Sequence, residues 1–127
     1  MHTQIIVCNN INFDNTLKQH ELGIVMNRIK IKSLPCVVNL SFLLKIIDMP
    51  VKDEINTEIR IVDSLSNILM TRSYVHRNYR EKDEIPGVDQ DFIATILIEE
   101  IGTLFIECYI NENKVNWYPV KIILEEK

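Results

Sequence analysis

Short runs of β-branched residues, alternating apolar with polar and broken by turn residues, recur along the chain and constrain its fold more than any other feature. Ile55, Thr57, Ile59 and Ile61 fall on one side of an extended segment, with Asn56, Glu58 and Arg60 on the other. Strand side chains alternate with period two, so this is a half-buried strand with one wet face. The chain holds 21 Ile and a single Ala, Ala94. Ala is the best helix former and β-branched residues suit pleated sheets, which disfavours a helical bundle.

The same reading gives strands over Gln4–Asn9, Glu21–Ile31, Val37–Ile47, Glu54–Asp63, Ile68–Tyr79, Asp91–Ile98, Thr103–Ile110 and Lys114–Leu124. Asn9–Asn15 reads as a turn, because Asn and Asp side chains mimic backbone turns. Gly23 marks a bulge or a close backbone approach within the second strand. Pro35 has no amide hydrogen and interrupts pairing before Val37–Ile47, the most hydrophobic run, which reads as a central strand. Arg80–Gln90 is the one long polar connection, and Asn111-Glu112-Asn113 is a three-residue hairpin loop. With 127 residues and no linker or repeat, one domain over 1–127 is expected. The expected architecture is all-β: a two-sheet antiparallel β-sandwich, immunoglobulin-like, of seven or eight strands, since each amphipathic sheet must cover its apolar face with another.

Several segments together are similar to a family of small uncharacterised bacterial β-sandwich domains. They are Ile5-Ile6-Val7-Cys8-Asn9, Glu21-Leu22-Gly23-Ile24, Ser33-Leu34-Pro35 and Glu99-Glu100-Ile101-Gly102-Thr103-Leu104-Phe105, followed by the turn Asn111-Glu112-Asn113-Lys114. The sequence departs from that family's pattern at Asn9, where an acidic residue is usual, at Leu104 in place of an aromatic, and at Asn113 in place of a glycine. The resemblance implies a fold and carries no catalytic residues. An antibody-type domain fits less well, because Trp117 follows all three cysteines instead of lying between two of them.

Chemistry-bearing motifs are sparse. No G-x-S-x-G elbow, H-E-x-x-H or P-loop occurs, and three glycines exclude a Gly-rich cofactor loop. No cofactor and no metal is therefore expected, and the protein reads as a non-enzyme. Asp83, Glu84, Asp89 and Asp91 could ligate Ca²⁺, but they lack the D-x-[DN]-x-[DN]-G pattern and read as a solvated loop. A Cys36–His76 pair assembled by folding is the remaining catalytic arrangement. Cys8, Cys36 and Cys108 form no C-x-x-C pair; without a secretion signal they read as reduced core thiols in a cytoplasmic protein. No run reaches the roughly 20 apolar residues of a membrane helix, and a net charge of −4 disfavours nucleic acid.

The candidate ligand- or partner-binding surface is the basic-aromatic stretch Arg72, Tyr74, His76, Arg77, Tyr79 and Arg80, since guanidinium groups beside rings can grip phosphates or stack on bases. Arg72, Tyr74, His76 and Arg80 would share one strand face. The bland reading is an outer strand whose charges blunt an edge. Trp117 and Tyr118 must point to opposite faces, one into the core and one outward. Leu43, Ile47, Phe105 and Tyr109 put apolar residues on the second faces of their strands, which calls for cover from elsewhere. The leading expectation is thus a β-sandwich interaction module acting by protein–protein contact, with an unidentified protein partner or as a homo-oligomer. The alternative is a binder of a small anionic ligand or nucleotide through Arg72–Arg80. An enzyme, the third class, would need His20 or His76 beside a nucleophile or carboxylate.

Overall fold

A computed structural model describes residues 1–126. Among them there are ten strands and no helix: β1 (His2–Cys8), β2 (Ile11–Asp14), β3 (Gln19–Leu22), β4 (Arg28–Ile31), β5 (Cys36–Ile47), β6 (Ile55–Val62), β7 (Ile68–His76), β8 (Gly87–Ile98), β9 (Gly102–Ile110) and β10 (Asn113–Leu124). They form a three-stranded sheet of order β1-β5-β8, a five-stranded sheet of order β4-β10-β9-β6-β7, and the separate hairpin β2-β3. None of the sheets closes into a barrel.

The two larger sheets share one hydrophobic core. From β5 come Leu40, Phe42, Leu44 and Ile46, and from β8 come Phe92, Ala94, Ile96 and Ile98. Ile59 and Ile61 of β6, Ile106 and Cys108 of β9, and Val120 and Ile122 of β10 face them. Each set is spaced by two, as the pleat requires. Phe42 and Phe92 are register partners, with ring centroids 4.8 Å apart and planes tilted by only 8°. Both rings lie at the centre of the buried cluster, where aromatic pairs add to the area they bury.

Several expectations need correction. Ten strands in three sheets replace seven or eight in two, and β10 pairs with β4 in parallel. The Asn-rich segment after β1 holds a strand of its own, β2, which pairs with β3. Glu21–Ile31 is not one strand: it divides into the end of β3 and the whole of β4, which belong to different sheets. The division falls at Gly23, whose backbone is pressed against the Asn9 and Asn10 side chains, where a Cβ would clash. Asn9 Oδ1 accepts from the Ile24 amide at 2.8 Å, so the asparagines hold a crossing point and not merely a turn. Similarly, β7 stops at His76, short of Tyr79, and β8 begins at Gly87 inside the expected loop.

The last hairpin has a two-residue loop, Asn111-Glu112, with both residues at positive φ (49° and 71°). That is the left-handed pair a type I′ turn demands, and its twist matches the flanking strands.

Hairpin β2-β3 lies against the outward face of the small sheet. Leu22 shares a hollow there with Ile6 and Leu43. Leu43 is only 4% exposed as a result. This cover within the chain is what positions the site described next.

Candidate functional site

The six basic-aromatic residues do not form one surface. Arg72, Tyr74 and His76 do share a face of β7, opposite Ile59, Thr57 and Ile55 of β6. Those partners are buried, so this face looks into the sandwich. Tyr74 stacks on His76 at 5.6 Å and meets Phe92 edge-on at 5.3 Å. Arg72 is exposed on the sheet's edge strand. Arg77, Tyr79 and Arg80 lie beyond the strand end: Arg77 pairs with Glu54 on the surface, Tyr79 is 74% exposed, and Arg80 folds back onto β8.

His76 is the centre of a buried polar chain. Its Nε2 faces Gln90 Oε1, and its Nδ1 lies 2.9 Å from Thr57 Oγ1. A neutral imidazole donates from one nitrogen and accepts at the other. With the Gln90 carbonyl oxygen accepting from Nε2–H, the Thr57 hydroxyl donates to Nδ1. The order hydroxyl–imidazole–acceptor is that of an activated nucleophile. Thr57 is only 1% exposed, however, so no substrate reaches its oxygen. The chain is a strut between β6, β7 and β8. Nor is His76 near Cys36: Gln90 and Ile98, the register partner of Cys36, are eight positions apart on β8, about 26 Å at 3.3 Å per residue.

Charge and concavity converge instead under hairpin β2-β3. On the outward face of β8, Asp89 lies opposite Lys45 of β5, and Asp91 lies opposite Leu43. Asp89 Oδ1 takes both Lys45 Nζ at 3.3 Å and Arg80 Nη2 at 3.0 Å. Arg80 is held further by the Ile85 carbonyl, which accepts from Nη1 at 3.0 Å, and Asn78 Oδ1 fixes the loop by accepting from the Arg80 and Gly87 amides. One step along the same face, His20 Nε2 sits 3.3 Å from Asp91 Oδ1, and the imidazole packs against Phe13 at 4.8 Å. Two adjoining hollows, of about 610 and 440 Å³, share Lys18, His20, Arg80, Glu84 and Asp89. Phe13 and Val88 line the first, Ile6, Leu22 and Leu43 the second. Of the six residues read from sequence, only Tyr79 and Arg80 line this groove, with His76 behind it through Gln90. Lys18, His20, Lys45 and Asp91 complete it, and no local spacing announced them: His20 and Asp91 are 71 residues apart.

Of the acidic residues considered as Ca²⁺ ligands, Asp89 and Asp91 are held in these pairs while Asp83 and Glu84 are not, and no cluster of three metal-ligating side chains occurs among the described residues. The three thiols are unpaired, and burial pushes the Cys108 thiol up to about 11. Among the described residues no helix is long and apolar enough to cross a membrane.

No protein-family model and no curated protein matches the chain, and neither comparison bears on the expected likeness to bacterial β-sandwich domains. Among solved structures the chain is similar to Pseudomonas fluorescens alkylpurine DNA glycosylase AlkC bound to DNA containing an abasic site analog. The identity is 11% and the TM-score 0.38, over 94% of this chain and 30% of that one. The chain thus spans under a third of the length of the protein it matches.

The expectation of a purely non-enzymatic module acting by protein contact or self-association is corrected here. The matched structure is that of a DNA glycosylase, which lends that expectation no support, and at this TM-score the likeness assigns no activity to this chain. The premise of that expectation also fails: Leu43 is buried, and Ile47, Phe105 and Tyr109 are half-buried within the chain itself. Its alternative, an anion grip along Arg72–Arg80, fails because Tyr74 and His76 face the core while Arg77 and Arg80 are paired with carboxylates.

Proposed function

We propose that this protein is a binding domain for a small zwitterionic molecule, one carrying a carboxylate and an ammonium group as an amino acid does, held in the groove beneath β2-β3. One observation carries the reading: charges of both signs face the same concave space in nearly equal number. Lys18, Lys45 and Arg80 stand against Glu81, Glu84, Asp89 and Asp91, with His20 fixed on Asp91. A wholly anionic ligand would meet four carboxylates there, and a wholly cationic one three permanent cations. A zwitterion meets neither penalty. Because Asp89 is shared by two cations, that corner keeps a surplus positive charge for a ligand carboxylate. The Glu84 carboxylate and the rest of Asp91 offer acceptors for an ammonium. Phe13, Ile6 and Leu43 supply the apolar lining that ligand sites commonly have.

We assign the sandwich to the immunoglobulin-like class in the broad sense. The orders β1-β5-β8 and β10-β9-β6-β7 correspond to strands A-B-E and G-F-C-C′ of such domains. Three unpaired thiols support a reducing, cytoplasmic setting.

The reading is tested by thermal unfolding with a panel of amino acids, dicarboxylates, phosphates and polyamines. A ligand at 100-fold its dissociation constant adds about 2.7 kcal/mol of stability, a shift of several degrees. We expect the shift from zwitterions, and its loss in Arg80→Ala and Asp91→Asn. Stabilisation by phosphates alone, or by none of the panel, contradicts it.

A further inference from the structure

The outward face of the five-stranded sheet carries an arrangement the groove does not use. Between Lys114 and Asn116 the β9-β10 register shifts. A bulge of this kind re-aims the side chains that follow it. Here it sets Trp117 opposite Glu107, on the outer face, where the ring is 51% exposed and meets Phe105 edge-on at 5.7 Å. Asn116, turned the other way, donates from Nδ2 to the Thr3 carbonyl at 2.9 Å and pins the bulge to the small sheet.

Beside Trp117 the polar groups of this face hold one another in place. The Arg60 guanidinium lies 4.2 Å over the Tyr109 ring and bonds Glu58 through Nε at 2.6 Å. Tyr109 donates from its hydroxyl to Glu107 Oε1 at 3.2 Å, and Lys114 Nζ reaches Glu107 Oε2 at 2.5 Å. Next to Arg60 and Tyr109 an open groove of about 610 Å³ runs over β6 and β7, lined also by Asn56, Ser73 and Val75. In register, Trp117, Glu107, Arg60 and Thr71 form one row across four strands. At about 4.8 Å between strands, that row is roughly 14 Å long.

Arg60 and Lys114 are taken up by Glu58 and Glu107, and Glu112 at the edge of the groove adds one further carboxylate. Nucleic acid prefers a net positive footprint, and this face has no positive surplus to offer an anion. What remains is an exposed ring to lie flat against, flanked by fixed donors and acceptors. We propose that this face is a second binding site, for a neutral oligosaccharide, whose apolar C–H face stacks on Trp117 and whose hydroxyls bond Arg60, Glu58 and Glu107. The length of the row suits several sugar rings better than one.

Trp117 is the sole tryptophan, so its emission reports on this face alone. Titrating the intact chain with soluble gluco-, xylo- and chito-oligosaccharides is expected to give a saturable change in that emission. Trp117→Ala, read by calorimetry, is expected to abolish binding, and Arg60→Ala to weaken it at least tenfold. Arg80→Ala, in the other groove, is expected to leave it unchanged. No saturable response from any neutral glycan, or calorimetric binding retained in Trp117→Ala, overturns the proposal. So does a response restricted to oligonucleotides or peptides.

Discussion

His76 has almost no exposed surface and spends both ring nitrogens on neighbours in two different strands. Removing it leaves the Thr57 hydroxyl buried without its partner, and takes one from the half-buried Gln90 amide as well. A buried orphan costs on the order of 1–3 kcal/mol. His76→Ala is therefore expected to lower the unfolding free energy by about 3 kcal/mol in urea titrations, and an effect under 0.5 kcal/mol would refute the strut. The cysteines give a second prediction at this scale. Cys8 and Cys108 are fully buried, with thiols raised mainly by burial, while Cys36 is partly exposed. Alkylation depends on a reachable thiolate. One thiol, Cys36, should react with a maleimide in the native protein and all three after unfolding, as counted by intact mass. The period-two pattern shows which residues of β7 lie together but not which side is inward, so Tyr74 and His76 read from sequence as surface. Only the buried partners Thr57 and Ile55 on the neighbouring strand decide that.

At the scale of elements, the long alternating strands were legible because burial on one face leaves a plain signature: β5, β6, β9 and β10 lie close to where the pattern puts them. The short ones were not. β2 and β3 have four residues each, too few for a period to show, and their Asn-rich flanks mimic turn signals. Yet that hairpin is one wall of the groove, which is why the candidate site was largely hidden. The turn between β6 and β7 shows a different dependence on local chemistry. Asp63 Oδ1 accepts from the Leu65 and Asn67 amides at 2.9 and 2.8 Å, and Oδ2 from the Asn67 side chain at 3.0 Å. Partial burial raises its carboxyl, but these bonds outweigh it and hold the group below its ordinary 3.8. A carboxyl depressed in the folded state stabilises above the unfolded value and loses that contribution as pH falls through the folded one. Below about pH 4 the wild-type melting temperature should fall more steeply than that of Asp63→Asn. Parallel curves would show that the turn bonds do not matter to stability.

For the molecule as a whole, the sandwich core and the groove are built from opposite faces of the same strands. Phe42, Leu44 and Phe92 look inward, while Leu43, Lys45, Asp89 and Asp91 look outward on β5 and β8. The core thus fixes the spacing of Asp89 and Asp91, and the loop and hairpin bring Arg80 and His20 to them. A site formed by residues so far apart in the chain leaves no motif, and its chemistry emerges only when the sheets are folded. The central claim is that this groove takes a zwitterion, and amide shift mapping by two-dimensional NMR during titration with amino acids tests it most directly. The account predicts saturable shifts centred on Lys18, His20, Arg80 and Asp91, with the Trp117 face silent. Shifts that do not saturate, or that avoid the β2-β3 hairpin, would contradict it.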